Sequence, residues 1–110
     1  MASDQSFVDY ILDQVSSGIN VVAKKMFGEY ALYVDNKIPA LICDNQLFIK
    51  QTEGGRAFIG QPVEAPPYKG AKNYFLIEDK LDDREWLCSL IETTVNELPQ
   101  PKPKKKKKKE

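Results

Sequence analysis

Apolar residues recur at positions 7, 8, 11, 12 and 15, the spacing of one helix face, which predicts an amphipathic helix over Phe7–Val15. Ser3 or Asp4 stands where a side chain can cap its first turn, and Ser16, Ser17 and Gly18 follow as stop signals. The period then shortens to two. "NVVAKKMFG" starts an extended segment, and "EYALYV" sets Tyr30, Leu32 and Val34 on one side of a strand with Ala31 and Tyr33 on the other. "DNK" at 35–37 and "DNQ" at 44–46 are short polar turns that tolerate φ > 0, and they link "IPALIC" and "LFIK" into an antiparallel meander. Pro39 in that run suggests an edge strand or a strand start.

"TEGGRAFI" predicts a short helix capped by Thr52 and weakened by Gly54 and Gly55. "QPVEAPPYKGAK" reads as an irregular crossing and "NYFLI" as the last strand. A final helix runs through "DDREWLCSLIETTVNELP". Asp82 and Glu85 form a capping-box-like start, and Trp86, Leu87, Leu90, Ile91, Val95 and Leu98 trace its apolar face. The order α-β-β-β-β-α-β-α predicts an α+β fold: two layers, with helices on one face of a mainly antiparallel sheet of about five strands. Residues 1–99 are expected to form this domain, and residues 100–110 a disordered tail rich in Pro and Lys.

Tyr33, Leu41 and Phe48 are opposite in parity to Leu32, Ile42 and Ile49, so several strands carry apolar residues on both faces. Two readings are open for the second face. It meets a partner or a second copy of the chain as a homodimer, or the crossing segment covers it.

Charge changes the picture more than bulk composition does. The chain has 110 residues, sixteen basic and sixteen acidic, and a hydrophobic content of 42%, ordinary for one globular domain. Residues 102–110 hold seven of the bases and one of the acids, so a tail of +6 follows a body of −6. The N-terminus lacks the apolar core of a signal peptide and no run is long enough to span a membrane, so a cytoplasmic protein with free thiols is expected.

The chemistry on offer is narrow. The chain has no histidine, which removes Ser-His and Cys-His nucleophile pairs and any imidazole base. Cys43 and Cys88 are far apart in sequence and make no usual zinc site; both fit the role of small buried hydrophobes. Glu78, Asp79, Asp82 and Asp83 precede a helix, where carboxylates cap N–H groups and oppose the dipole. "GGRAFIG" lacks the ending of a phosphate loop. No catalytic, metal or cofactor-binding residues are assigned, and no cofactor is expected. An enzyme would have to run on carboxylates, lysines or tyrosines alone.

Lys25, Met26, Phe27 and Gly28, then Ala31, Leu32 and Tyr33, then Ala40, Leu41, Ile42, Asp44, Asn45 and Leu47 form a connected pattern. It closely resembles the TfoX/Sxy N-terminal domain family, and "TEGGRAFI", "PYKGAKNYF" and "LDDREWL" extend the likeness across residues 7–99. The resemblance implies a small α+β domain with an antiparallel sheet. Competence regulators of that family promote transcription of DNA-uptake genes together with the cyclic-AMP receptor protein, and carry a second, helical domain outside this stretch. The family has no agreed catalytic motif to transfer. What it implies is a non-enzymatic regulatory or adaptor domain whose partner is a protein, such as the transcription machinery or a regulator of the cyclic-AMP receptor type. The motif residues Lys25, Met26, Phe27, Gly28, Leu32 and Tyr33 are expected to be mostly structural, with Gly28 allowing a bend or bulge.

Tyr68, Lys69, Gly70, Lys72 and Tyr74 alternate aromatic and cationic groups and form the candidate recognition loop; the alternative is an ordinary crossing loop with a tyrosine lid. Lys102, Lys104, Lys105, Lys106, Lys107, Lys108 and Lys109 form a candidate nucleic-acid tail. Without aromatics or arginines it has no means of base readout, so it acts as a non-specific DNA or RNA anchor or only as a solubilising end. Comparing retention on DNA and RNA of the full chain and of a chain ending at Leu98 separates these. The anchor predicts loss of retention on truncation and a log–log salt slope of about −5 to −6 for seven phosphate contacts. Equal retention removes it.

Overall fold

The computed structural model describes residues 3–16, 19–26 and 28–98; Phe27 and the tail lysines lie outside that set. The described elements run α1 (Gln5–Val15), β1 (Val21–Met26), β2 (Glu29–Val34), β3 (Lys37–Cys43), β4 (Gln46–Ile49), α2 (Glu53–Ile59), β5 (Val63–Ala65), β6 (Tyr74–Ile77) and α3 (Arg84–Glu97). All strands join one antiparallel sheet in the order β1-β2-β3-β4-β6-β5. The fold is thus the expected α+β class, with six strands rather than about five. The additional strand, β5, lies within the segment expected to be an irregular crossing. Three residues between Pro62 and Pro66 have no periodicity of their own, and pairing with β6 makes them a strand. Its place at the sheet edge tolerates the flanking prolines. None of the described helices is long and apolar enough to cross a membrane.

Both Asp-Asn turns take the conformation their sequences call for. Asp35 and Asn36 have φ of 51° and 68°, and Asp44 and Asn45 have 53° and 57°, the paired positive values of type I′ hairpins. Pro39 departs from expectation, because β3 lies between β2 and β4 and is not an edge. The register with β2 slips between Leu32 and Val34, so Ile38 and Pro39 oppose Tyr33 alone. This bulge removes the need for a ladder N–H at Pro39, while its carbonyl still accepts from Lys50 N–H at 2.8 Å.

Strand alternation sends Leu32, Val34, Ala40, Ile42, Leu47, Ile49, Phe75 and Ile77 to one face. There they meet Val8, Ile11 and Val15 of α1 and Leu87, Leu90, Ile91 and Val95 of α3. Each Val, Leu, Ile or Phe among them stabilises the fold by about 1.5–3 kcal/mol when fully buried. Gln14, buried between the two helices, donates to the Leu81 carbonyl at 2.8 Å and accepts from Arg84 at 3.2 Å. Trp86 is only half-buried; it packs on the core's rim with its ring 5.4 Å from that of Phe58. Lys37 Nζ donates to the Val95 carbonyl at 2.9 Å, fastening the last turn of α3 to the β2–β3 hairpin.

Caps fall differently from expectation at both long helices. Asp83, not Asp82, is the N-cap of α3 and accepts from Trp86 N–H at 3.1 Å. At α1, Asp4 is the N-cap but makes no side-chain cap bond, and Ser3 makes none either. Their polar groups go instead to the β3–β4 turn. Asn45 N–H donates to Ser3 Oγ at 2.9 Å, and Asp4 N–H donates to Asn45 Oδ1 at 2.8 Å. Glu29 completes the clasp, with Oε1 accepting from Ser3 N–H at 2.8 Å and Oε2 from Asp44 N–H at 2.9 Å. Burial pushes the Glu29 carboxyl up, but the Asp44 N–H and the two Ser3 groups outweigh it and hold it below its ordinary 4.5.

Helix α2 is the short one, capped as expected by Thr52, whose Oγ1 accepts from Gly55 N–H at 2.9 Å. Its glycines are there for proximity. A Cβ on Gly54 would lie 2.9 Å from Thr93 Cγ2 and meet the Glu97 carboxylate. One on Gly55 would lie 2.8 Å from Thr52 Oγ1 and 3.4 Å from the Phe75 ring. Gly54 therefore lets α2 pack against α3, and Gly55 leaves room for the Thr52 cap.

Gly55→Ala should gain about 1 kcal/mol from helix propensity alone. Displacing the Thr52 cap costs up to about 2 kcal/mol and reverses the sign, so urea denaturation should give a net loss of up to about 1 kcal/mol. Glu29→Gln leaves one of the two N–H donors facing an amide NH₂ and should cost about 1–2 kcal/mol at pH 7. Because the folded-state value is depressed, the carboxylate's contribution is complete above about pH 4.5 and fades as pH falls through the folded value. Chemical denaturation of both proteins across pH 2–7 should therefore show their difference shrinking in acid; a constant difference would contradict the charge-based account.

Candidate recognition surface

The second face is built by the other half of the strand alternation. Ala31, Leu41, Cys43 and Phe48 form its buried centre, flanked by half-buried Met26, Tyr33, Ile38, Ala65, Tyr74 and Leu76. Leu41 is only 3% exposed and Phe48 only 2%, so the middle of this face is already covered within one chain. The crossing segment between β5 and β6 contributes to that cover. Pro67 is buried, and Tyr68 shares a small apolar pocket of about 130 Å³ with Met26, Glu29, Leu41 and Cys43. What remains open to solvent is peripheral: Tyr68 is 50% exposed, Val63 55% and Val22 49%.

The crossing segment turns sharply at its tip. Ala71 N–H donates to the Tyr68 carbonyl at 3.1 Å, and Gly70 has φ of +88°. Positive φ at the third of four residues is the type II turn, with Lys69 at its second position. Four of the five candidate loop residues, Tyr68, Lys69, Gly70 and Lys72, thus lie together on one loop, with both lysines exposed. Tyr74 does not. It lies on β6, half-buried in the second-face cluster, where burial first and then Tyr68 and Cys43 push its hydroxyl above the ordinary tyrosine range.

The motif residues divide in a similar way. Leu32 is fully buried among the core side chains, Met26 and Tyr33 belong to the second face, and Lys25 is exposed. Gly28 has φ of +78° in the connection between β1 and β2, the bend expected of it. The ammonium of Lys24 sits 5.1 Å from the centre of the Tyr33 ring.

Reactive groups are held in quiet states. Burial, then the nearby Glu29 and Asp44 carboxylates, push the Cys43 thiol up to about 11. Cys88 lies on the rim of the core with Sγ donating to the Val15 carbonyl at 3.4 Å. Glu64 accepts from Gln51 and from Arg56, each at 2.9 Å, and these bonds hold its carboxyl below the usual range. Among the described residues, no group of three or more Cys, Asp or Glu side chains converges as a metal site. The Arg56–Glu64 pair and the Glu29 clasp have no counterpart in the sequence patterns. Their partners lie eight to forty-two positions apart and meet only through the fold.

The chain is 40% identical over 101 residues to a protein of Spirochaeta aurantia described as an uncharacterized 12.7 kDa protein in the trpE 5′ region. That likeness spans 92% of this chain and 88% of the relative. The sequence also matches the TfoX N-terminal domain over residues 13–98, from the end of α1 to the last turn of α3, the stretch that carries the sheet, the bulge and the crossing loop. The protein belongs to the TfoX N-terminal domain family.

Proposed function

We propose that this domain is a non-enzymatic regulatory adaptor that acts through protein contacts made at the Tyr68–Ala71 turn and the adjoining second face of the sheet. The observation that carries it is the turn itself. A half-exposed aromatic and two exposed lysines stand on a loop braced by buried Pro67 and by the second-face cluster. Exposed aromatics beside cations on a positioned loop are the composition of interface anchors. The family to which the chain belongs includes competence regulators, which makes the transcription machinery or a regulator of the cyclic-AMP receptor type the partner class.

The state of the ionisable groups supports an adaptor over an enzyme. A thiol pushed up to about 11 stays protonated at neutral pH and is a poor nucleophile. The Glu29 carboxylate is taken up by backbone N–H groups of Ser3 and Asp44. A second reading rests on the charge split of the sequence: Lys102 and Lys104 to Lys109 hold the domain on DNA or RNA without choosing a base sequence.

The test uses a purified regulator of the cyclic-AMP receptor type on promoter DNA, titrated with the wild-type chain, Tyr68→Ala and Lys69→Glu. Binding by the wild type, weakened about tenfold or more by each substitution at unchanged thermal midpoint, is the expected result. Identical titrations for all three proteins would remove the turn from the contact, and no wild-type binding would remove this partner class.

A further inference from the structure

The sheet has two edges of unequal character. At one end β5 is three residues long; at the other β1 is six, and it pairs with β2 only. Met26 opposes Glu29 across a two-residue connection. A pair that closes such a hairpin exchanges its N–H and C=O bonds, and the antiparallel alternation makes Lys24 and Val22 the next bonded positions. The N–H and C=O groups of Val21, Ala23 and Lys25 then point away from the sheet. Among the described residues, no other backbone or side-chain group meets them.

An open ladder of this length takes up an extended chain unless its side chains forbid it. The side chains of β1 discriminate. Lys24 and Lys25 are both exposed, and the alternation of the strand puts them on opposite faces of the sheet. A second copy of β1 would bring two more lysines to the same ladder with no acid across from them, so self-pairing is opposed. A strand with adjacent carboxylates answers both lysines at once, one on each face, and an aliphatic side chain two positions on would lie beside Val22, which is 49% exposed. The body as a whole is negative, but screening over about 8 Å at physiological salt leaves local charges in control.

We propose that the free edge of β1 docks an extended acidic segment of a partner protein, which adds to the sheet as a seventh strand with its carboxylates against Lys24 and Lys25. The proposal rests on the adaptor reading and specifies the chemistry of its partner.

The probe is the fluorescein-labelled peptide acetyl-Thr-Glu-Glu-Thr-Val-Thr-amide, written to run antiparallel to β1 with its acids opposite Lys25 and Lys24. Two companions are needed: the same peptide N-methylated at the residues opposite Lys25 and Ala23, and a version with lysine in place of both acids. Fluorescence anisotropy should show binding of the first peptide, weakened at least tenfold by N-methylation, by acid-to-lysine exchange, or by Lys24→Glu with Lys25→Glu in the protein. Lys24→Gln with Lys25→Gln, a milder change at the same exposed positions, should give a smaller loss in the same direction. Amide hydrogen exchange at Val21, Ala23 and Lys25 should slow when the peptide is bound.

Absence of binding overturns the proposal, as does binding that ignores N-methylation, which would be charge attraction without a ladder. Protection of the same amides on raising protein concentration without peptide also overturns it, by making a second copy the occupant. Since the adaptor reading is tested at Tyr68 and Lys69, failure at the edge alongside a turn-dependent regulator titration sinks the edge proposal alone.

Discussion

Strand β3 has no solvent side. Ala40 and Ile42 point into the helix layer while Leu41 and Cys43 point into the second-face cluster, and all four are buried. A shift of one residue in its pairing would exchange these two sets, placing Leu41 where Ala40 fits between sheet and helices. Everything else is arranged around that double constraint. β2 and β4 bring matching residues to both faces, with Ala31 and Phe48 flanking Leu41 on one and Leu32 and Leu47 flanking Ala40 and Ile42 on the other. The bulge at Pro39 lets the strand change register once, at a place where no donor is required, and go on to meet the β2–β3 turn.

The N-terminal clasp shows how a small domain orders a chain end with polar groups. Its central carboxylate, Glu29, receives one N–H from Ser3 and one from the second I′ turn. Neither donor has a partner in a regular element, so the carboxylate satisfies groups that the turn and the helix start would otherwise leave to water. Ser3 and Asp4 thus serve tertiary structure at the cost of local capping. The Asp4 carbonyl still accepts from Phe7 and Val8, which keeps the first turn of α1 closed.

The features that were legible in the sequence are those whose physical cause is local. Period-two alternation marked β2, Asp-Asn pairs marked both type I′ turns, the 7, 8, 11, 12, 15 spacing marked α1, and Thr52 marked the start of α2. The features that were missed have causes elsewhere in the chain. Val63–Ala65 becomes a strand because β6 offers it a free edge. Asp83 rather than Asp82 caps α3, a difference of one residue that composition does not resolve. Gly54 and Gly55 look like weak helix formers until Thr93, Phe75 and Leu90 are placed beside them. At the candidate surface, the pattern of Tyr68, Lys69, Gly70 and Lys72 was readable as a loop, and Gly70 as its turning point. That Tyr74 faces inward follows only from the pairing of β6 with β4 and β5.

The bond from Lys37 to the Val95 carbonyl also joins a helix end to a hairpin. The last carbonyls of a helix have no partner within it and otherwise turn to water. Here the last turn is tied by an ammonium to the hairpin between β2 and β3, whose second strand is buried on both faces of the sheet. The end of α3 is thereby set against the sheet by a side-chain hydrogen bond as well as by apolar packing.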